Sequence, residues 1–407
     1  MTETAEKKER YIEIAVSRAE DRADTEESLS ELSRLLETAG GECVYKVIQQ
    51  LERPVAATYI GSGKIEELRS FIDAFEADGV ISDDELTPAQ MGNLEAELHV
   101  KVIDRTMLIL DIFARHAVSR EGKIQVEMAQ LSYKSSRLSG SAGKAMSRLG
   151  GGIGTRGPGE TKLETDRRRI RNRIASLRKE LRVMKKNREN TRKSREKNGI
   201  PVFAIVGYTN AGKSTLLNAL TGSDVLSEDA LFATLDPTTR RLELENGLTV
   251  LLTDTVGFIS KLPHDLIDAF HSTLEEAGYA DYIIHVVDSS DQRAEKNMQV
   301  VKETLSELGI SGKPIITVFN KSDKGGGPRP LSDRVADITL RASARTGEGL
   351  DTLRDAIKRV VTEDMELVSR VFSYTQVADL ERLRDRGRIV KEDYQEDGIH
   401  VEALVRK

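Results

Sequence analysis

The chain is poor in cysteine and histidine and has no long apolar run. Its 407 residues include a single cysteine, Cys43, which excludes an internal disulfide framework and is typical of a reducing compartment. Six histidines without the spacing of metal ligands argue against a zinc site. The N-terminus is acidic and polar, and no apolar run approaches the length that spans a membrane. We therefore expect no signal peptide and no integral membrane segment, and we predict a cytoplasmic protein.

Charge is distributed unevenly along the chain. The net charge of −6 argues, taken alone, against a nucleic acid partner. Residues 144–197, however, contain 19 Lys and Arg and only 6 Asp and Glu, whereas the remainder contains 42 basic and 61 acidic residues. A strongly basic segment on an acidic protein predicts binding to a polyphosphate. Because few aromatic residues interrupt the segment, we expect contacts to phosphate rather than to bases.

The most informative motif is a glycine-rich loop, G-Y-T-N-A-G-K-S, that follows the apolar run Val202–Val206. This run lies between Pro201 and Gly207 and predicts a buried strand, which disfavours an ordinary strand-to-helix turn. Small residues let the N–H groups of the loop point at phosphate oxygens, and the helix beginning near Lys213 adds its positive end. We expect Lys213 to reach the β- and γ-phosphates and the Ser214 hydroxyl to bind Mg²⁺. The predicted phosphate-binding residues are Gly207, Tyr208, Thr209, Asn210, Ala211, Gly212, Lys213, Ser214 and Thr215.

A second motif, D-T-V-G, follows the strand-like run Leu248–Thr253. That strand would bring Asp254 to the carboxyl edge of a sheet, where open α/β folds bind ligands. We expect Asp254 to hold Mg²⁺ through water and the Gly257 N–H group to contact the γ-phosphate. A structural turn would look the same in isolation, but the position of Asp254, 41 residues after Lys213, favours a nucleotide site. The residues expected at the nucleotide are Asp254, Thr255, Val256 and Gly257.

A third motif, N-K-S-D, ends the apolar run Ile315–Phe319. A carboxylate at Asp323 can accept hydrogen bonds from the N1–H group and the exocyclic amine of guanine, whereas adenine offers no such donor pair. Asn320 would brace the loop and Lys321 would lie along the base. Alone, N-K-S-D is as often a polar surface turn, but its spacing from the other motifs favours GTP over ATP. The predicted base-binding residues are Asn320, Lys321, Ser322, Asp323, Ser343, Ala344 and Arg345.

Residues 231–240 occupy the expected place of a switch segment. In such a segment a threonine completes the Mg²⁺ shell when a γ-phosphate is present. Spacing alone leaves Thr234, Thr238 and Thr239 as candidates. The residues expected to border the nucleotide here are Phe232, Ala233, Thr234, Leu235 and Asp236.

Together these motifs resemble the HflX family of translational GTPases, within the Obg-HflX group. The resemblance rests on G-Y-T-N-A-G-K-S-T, F-A-T-L-D-P-T-T-R, D-T-V-G-F-I-S-K-L-P-H and N-K-S-D. Outside these motifs it extends to Tyr59–Lys64, Asp104–Thr106, Arg120–Lys123 and Gly151–Glu160. It covers roughly residues 10–365 and is weakest over the last forty residues.

The resemblance implies a GTP hydrolase that uses Mg²⁺, with GTP as substrate and GDP as product. It selects Thr234 as a Mg²⁺ ligand beside Ser214, with Lys213, Thr234 and Gly257 acting in catalysis. It implies binding to the large ribosomal subunit and its rRNA through residues 140–197, and separation of stalled ribosomes into subunits during stress. We expect no DNA partner, and we expect the protein to act as a monomer.

Phe258 departs from the Ras pattern, in which a glutamine after D-x-x-G orients the attacking water. Phenylalanine cannot make that hydrogen bond, so intrinsic hydrolysis should be slow and a partner should accelerate it. For the family, that partner is the large ribosomal subunit. The alternative is that Phe258 is a core residue and another side chain, such as His264, positions the water.

Apolar periodicity predicts an α/β fold in four domains. We assign residues 1–118 to an α/β domain with a mostly parallel sheet, 119–199 to a long antiparallel helical hairpin, 200–364 to the P-loop GTPase domain and 365–407 to a small α+β domain. The hairpin rests on two apolar stripes, the first of Ile124, Met128 and Leu131, the second of Ile170, Ile174, Leu177, Leu181 and Met184. Its tip would be a glycine-rich loop near residues 140–159, in which Arg148 and Arg156 would contact phosphates.

The predicted elements outside the hairpin and the GTPase domain are short. In the first domain they are strands at 11–16, 44–48, 79–81 and 100–103, and helices at 28–38, 65–75 and 88–98. In the last domain they are strands at 367–372 and 399–405 on either side of a helix at 377–385.

Two features of the first domain have competing interpretations. Gly61–Lys64 begins a helix and is either a second nucleotide site or a helix cap with a tight turn. The carboxylates of Asp83, Asp84 and Glu85 are interpreted as charges at the start of the helix that follows Thr87.

A different class of function fits the same motifs. The protein could be an RNA-binding scaffold or ribosome-assembly factor that uses GTP only as a binding switch. Phe258 and the basic hairpin are compatible with both interpretations.

Overall fold

The computed structural model describes residues 8–137, 158–197, 200–222, 231–232, 236–244, 248–261, 275–325 and 331–406. Side chains are described throughout these ranges except at 158–163, 190–197, 377, 382, 385–388 and 406. These residues fall into two compact units. The first contains the described residues up to Leu181 together with Lys261, and the second contains those of 182–260 and those from 275 onward. The division into four domains stays a prediction.

A parallel four-stranded sheet forms the centre of the first unit. The order along the chain is β1 (Arg10–Ser17), α1 (Arg22–Thr38), β2 (Glu42–Gln50), α2 (Ser62–Phe75), β3 (Gly79–Ser82), α3 (Pro88–Leu98), β4 (Lys101–Asp104) and α4 (Arg105–His116). The strand order β2-β1-β3-β4, with every neighbouring pair parallel, confirms the predicted α/β fold. The sheet packs a hydrophobic core whose most buried members include Ile12, Ile14, Leu68, Val80 and Leu94.

The prediction for Asp83 is wrong. The residue does not lie at the start of α3, which Thr87 caps in a reciprocal box with Gln90. Asp83 is instead fully buried behind β3, where it accepts hydrogen bonds from Ser28 at 2.7 Å and from Arg105 at 2.9 Å. A buried carboxylate requires such partners because its desolvation would otherwise be prohibitive. Asp83, Asp84 and Glu85 are consecutive in the sequence, and this pattern did not indicate that Asp83 is buried.

The segment Gly61–Lys64 has the geometry of a helix cap. Gly61 is the N-cap of α2, and its N–H group donates to Gln49 Oε1 at 2.8 Å. Lys64 is engaged in an ion pair with Glu67 one turn further along. Both observations favour the cap over a second nucleotide site, because the Gly61 N–H group and the Lys64 ammonium already have protein partners.

Two helices follow α4, namely α5 (Arg120–Arg137) and α6 (Pro158–Lys197). Arg120 pairs with Glu180 at 3.1 Å, and Arg173 makes two hydrogen bonds to Glu127 at 2.7 and 2.8 Å. Arg120 comes before Glu127 in α5, whereas its partner Glu180 comes after Arg173 in α6. The two helices therefore run in opposite directions. Ile124 on α5 and Ile174 and Leu177 on α6 are buried, as the apolar stripes predict. Most of the predicted tip, including Arg148 and Arg156, lies outside the described residues.

A six-stranded sheet of order β10-β9-β8-β5-β7-β6 forms the centre of the second unit. Its elements are β5 (Val202–Gly207), α7 (Lys213–Thr221), β6 (Thr238–Glu243), β7 (Thr249–Asp254), β8 (Tyr282–Asp288), α8 (Ala294–Glu307), β9 (Ile315–Asn320), β10 (Ile338–Arg341) and α9 (Leu350–Glu363). All neighbouring strands are parallel except β6, which is antiparallel to β7. The carboxyl ends of β5, β7, β8 and β9 therefore meet at one edge of the sheet.

The last part of the chain forms a small antiparallel sheet packed on one helix. The elements are β11 (Met365–Phe372), α10 (Val377–Arg386), β12 (Gly387–Gln395) and β13 (Gly398–Arg406), with strand order β11-β13-β12. The predicted strands and helix are present, but β12 was missed. Its sequence, G-R-I-V-K-E-D-Y-Q, is too charged to read as a strand by itself, and its pairing with β13 determines its conformation.

Among the described parts of the chain, no helix combines the length and the apolar character needed to cross a membrane.

Candidate functional site

The phosphate-binding loop connects β5 to α7 at the carboxyl edge of the larger sheet. β5 ends at Gly207, and α7 begins at Lys213 after Gly212, whose φ of 94° favours glycine. Asn210 also has a positive φ, of 58°. The turn therefore has the strand, loop and helix arrangement that the motif predicts, with its backbone curled back over the start of α7.

Lys213 folds back over the loop that precedes it. Its Nζ donates to the carbonyl oxygens of Tyr208 at 2.9 Å and Gly207 at 3.2 Å. The side chain is buried, and this desolvation lowers the pKa of Lys213 to about 8. A phosphate anion at the loop would favour the charged form, because it adds negative charge beside the buried ammonium.

Ser214 and Asp254 meet where the sequence predicts a metal ion. The Ser214 hydroxyl donates to Asp254 Oδ2 at 2.7 Å, and Asp254 is fully buried at the end of β7. A hydroxyl and a carboxylate are oxygen ligands of the kind that Mg²⁺ prefers, directly or through water. No cluster of three or more His, Cys, Asp or Glu side chains with metal-binding geometry occurs among the described residues. The donor set thus fits a Mg²⁺ ion that a bound phosphate helps to hold, rather than one enclosed by protein ligands.

The D-T-V-G segment lies directly against the phosphate-binding loop. A β-carbon built on Gly257 would be 2.8 Å from Thr209 Cγ2 and 3.0 Å from Lys213 Nζ, so only glycine fits between them. Phe258 is 2% exposed. Its ring is therefore part of the core. Its backbone N–H group and carbonyl oxygen are both hydrogen-bonded to the phosphate-binding loop.

Asn320 joins the base-binding loop to the phosphate-binding loop. Its Nδ2 donates to the Ala211 carbonyl oxygen at 2.9 Å, and its Oδ1 accepts from the Ala344 N–H group at 2.9 Å. Lys321 adds a second connection, because its Nζ donates to the Asn210 carbonyl oxygen at 2.7 Å. Three segments that are distant in sequence therefore form one rigid wall.

Asp323 is exposed and ionised at the end of that wall. Its Oδ1 accepts a hydrogen bond from the buried Ser343 hydroxyl at 2.7 Å. That hydrogen bond holds the pKa of Asp323 below its usual value. The carboxylate is thereby oriented and kept charged, as recognition of two donors on a purine base requires.

The structure tests the switch threonines only in part. Thr234, with Ala233 and Leu235, lies outside the described residues, and so does His264. Thr238 and Thr239 do not lie in a loop but in β6, paired with Asp254 and Thr253 of β7. The Thr239 hydroxyl is 3.0 Å from that of Thr253, so it already has a partner in the sheet.

Sequence reasoning missed Asp288 at this edge. Asp288 ends β8 and its Oδ2 is 2.8 Å from Lys321 Nζ, so it holds the lysine that is expected to lie along the base. The signal was available, since Asp288 follows the apolar run Tyr282–Val287 and parallel strands end at a common edge.

Three sequence families match successive parts of the chain. They are described as GTP-binding GTPase N-terminal, at residues 26–114, GTP-binding GTPase Middle Region, at 116–195, and 50S ribosome-binding GTPase, at 202–321. The chain is also 55% identical over 408 residues to GTPase HflX of Lacrimispora saccharolytica, covering all of this chain and 96% of that protein. The chain belongs to the HflX family of GTPases. As a member of the family it binds GTP and hydrolyses it.

A second GTPase HflX agrees with this assignment. GTPase HflX of Caldanaerobacter subterraneus is 52% identical over 406 residues, which cover all of this chain and 93% of the relative. Among solved structures, a GTP-binding protein from the hyperthermophilic archaeon Sulfolobus solfataricus in complex with GDP is 28% identical, with 87% of this chain and 99% of that chain covered and a TM-score of 0.45. The identities to the two GTPase HflX proteins and the three sequence families confirm the resemblance to the HflX family seen in the motifs.

Proposed function

We propose that this chain hydrolyses GTP in a Mg²⁺-dependent reaction and that the γ-phosphate controls its association with the large ribosomal subunit. The observation that supports the chemistry is the Ser214–Asp254 pair beside Lys213, which places a hydroxyl, a carboxylate and an ammonium at one loop. Mg²⁺ would neutralise charge on the phosphates, held by Ser214, by Thr234 and, through water, by Asp254.

The remaining roles in GTP binding and hydrolysis belong to other groups of the chain. Lys213 and the loop N–H groups stabilise negative charge on the β- and γ-phosphates during in-line attack of water. Gly257 offers its N–H group to the γ-phosphate. Asp323 selects guanine by pairing with its N1–H group and exocyclic amine. The buried Phe258 offers no hydrogen bond to the water, so we expect slow turnover until a partner stimulates it.

The exposed basic face of α6 supports the ribosomal partner. Arg168, Arg171, Arg178 and Lys179 are exposed and lie within an arc of about 100° at ~100° per residue. Ile174 and Leu177, which are buried, occupy a different face. A row of cations on a helix surface fits the regularly spaced phosphates of RNA. The match of residues 202–321 to a family described as 50S ribosome-binding GTPase points to the same partner.

We further propose that the protein acts as a cytoplasmic monomer, that it separates stalled ribosomes into subunits during stress, and that hydrolysis releases it afterwards. The test combines turnover with binding. GTP hydrolysis is measured with and without large subunits, and co-sedimentation is measured with a non-hydrolysable GTP analogue. We expect stimulation by the subunits and analogue-dependent binding.

Variants locate the binding surface. Arg171→Glu with Arg178→Glu should weaken co-sedimentation and reduce its salt dependence, while the unstimulated GTPase rate is unchanged. Arg53→Glu with Arg334→Glu is the matched control, since both side chains are exposed and lie off α6. Deletion of residues 151–159 should also reduce binding. Full binding by both altered proteins would overturn the assignment of residues 140–197 to rRNA.

The scaffold hypothesis remains the second candidate because Phe258 cannot orient water. It predicts nucleotide-dependent binding to ribosomal particles without any stimulation of hydrolysis. The same turnover experiment therefore separates the two.

A further inference from the structure

The phosphate-binding loop and the D-T-V-G segment are joined by a short backbone pairing. The Thr209 N–H group donates to the Phe258 carbonyl oxygen at 2.7 Å, and the Phe258 N–H group donates to the Gly207 carbonyl oxygen at 3.1 Å. These bonds form an isolated parallel bridge between Tyr208 and Phe258. One residue pair is far shorter than an ordinary strand pairing, so other contacts must help to determine where the segment lies.

The side chain of Tyr208 supplies such a contact. Its hydroxyl accepts a hydrogen bond from the Ser260 N–H group at 2.8 Å and lies 2.8 Å from the Ser260 hydroxyl oxygen. Tyr208 is 9% exposed, so water competes weakly for these bonds. Residues 257–260 are thus held at both ends, by the backbone bridge near Phe258 and by the phenol at Ser260.

The segment held in this way begins with Gly257, whose N–H group is proposed to contact the γ-phosphate. Gly257 is in van der Waals contact with Thr209 and close to Lys213, as the positions of a virtual β-carbon show. The Gly257 N–H group and the Lys213 ammonium would therefore contact the same phosphoryl group. GDP lacks that group, so a shift of Gly257 would weaken binding of GTP and leave binding of GDP nearly unchanged.

We propose that Tyr208 is a positioning residue for the γ-phosphate, which acts through its hydroxyl on Ser260 and thereby sets the place of Gly257 relative to Lys213. This inference rests on the proposed function, since it assumes that the loop binds GTP through Gly257. It gives the second residue of the loop a part in discriminating GTP from GDP through a hydroxyl that is bonded to Ser260.

The test is the variant Tyr208→Phe in the full chain, which keeps the ring and removes the hydroxyl. Affinities for GDP and for a non-hydrolysable GTP analogue are measured by calorimetry. We expect the analogue to bind about threefold to tenfold more weakly, the effect of one neutral hydrogen bond, while GDP binding changes by less than about twofold. The value of kcat/KM for GTP should fall by at least the same factor as analogue affinity.

Two further variants make the result specific. Tyr282→Phe is the control, because it removes another tyrosine hydroxyl of the same unit, which donates to Asp364 at 2.7 Å away from the nucleotide loops. Its analogue-to-GDP affinity ratio should equal that of the wild type. Ser260→Ala should lower analogue affinity less than Tyr208→Phe, since its backbone N–H group remains. The double variant should be no weaker than Tyr208→Phe alone, because both changes remove one shared contact.

The inference fails if Tyr208→Phe leaves the affinity ratio unchanged, or if it weakens both nucleotides equally, which would make the hydroxyl a purely structural group. A wild-type chain that binds both nucleotides but never hydrolyses GTP would contradict the proposed function alone, because the ratio is measured without turnover.

Discussion

The side-chain amide of Asn320 lies where a β-carbon on Gly212 would have to be. A β-carbon built on Gly212 would be only 2.3 Å from Asn320 Nδ2. The amide is committed to its hydrogen bond with Ala211 and cannot move away without breaking the wall between the base-binding and phosphate-binding loops. The base-binding and phosphate-binding loops can therefore pack in this way only if residue 212 is glycine.

Gly212→Ala should accordingly damage both stability and nucleotide binding. The added methyl group collides with Asn320, and the φ of 94° is strained for alanine. We expect the free energy of unfolding to fall by about 2 kcal/mol or more and GDP affinity to fall at least about tenfold. Denaturant titration and calorimetry measure the two effects. Gly222→Ala is the control, because its φ of 64° is also positive but its β-carbon would meet open space. Equal losses in the two variants would show that the contact with Asn320 does not matter.

Asp323→Asn should change which base is bound. The amide still accepts one hydrogen bond but places a donor against the donors of guanine, so GDP affinity should fall by about tenfold or more. Xanthine carries a carbonyl where guanine has its amine, and XDP should therefore bind the variant better than the wild type. Titrations with GDP, XDP and ADP measure this. Unchanged base preference in the variant would refute the role of Asp323.

Because the Ser343 hydrogen bond lowers the pKa of Asp323, wild-type GDP binding should not weaken through this residue between about pH 7 and pH 5.

Nucleotide binding should take up a proton in mildly alkaline solution. Burial lowers the pKa of Lys213 to about 8, so above that pH the side chain is largely neutral in the free protein. A bound phosphate favours the charged form and raises this pKa, which requires proton uptake. At about pH 6.5 the lysine is already charged, and no uptake from it is expected. Calorimetry of GDP binding in buffers of different ionisation enthalpy measures the number of protons. The same uptake in Lys213→Gln would assign it to another group.

Arg105 should be among the most sensitive positions of the first unit. Its side chain is 2% exposed and pairs with Glu31 and Asp83, whose side chains are 1% and 0% exposed. Arg105→Ala leaves two buried carboxylates without that cation, and we expect a loss of about 3–5 kcal/mol in the free energy of unfolding. Arg69→Ala, which breaks an exposed pair with Glu97, should cost about 1 kcal/mol or less. Chemical denaturation of both variants is the measurement, and similar losses would contradict a special role for burial.

Local sequence signals predicted most of the residues that the structure brings together in the candidate nucleotide site. The strands that carry Gly207, Asp254 and Asn320 are short apolar runs, and each motif begins where its run ends. The loop chemistry is equally local, because the phosphate-binding turn needs glycines and a following helix. By contrast, the Tyr208–Ser260 contact was missed, since its two residues are 52 positions apart in the chain. Asp288 was missed although the apolar run before it indicates a strand that ends at the same edge.

The amino-acid sequence by itself determined the family, the mostly parallel sheets and the motifs of the proposed GTP site, because these depend on periodicity and on side chains a few residues apart. Tertiary structure alone decided which carboxylates are buried and which strands are paired. Asp83 became a core residue through Arg105, and the charged β12 became a strand through β13. The physical reason is the same for both. Desolvation and strand pairing depend on neighbours in space, and those neighbours are distant in the chain.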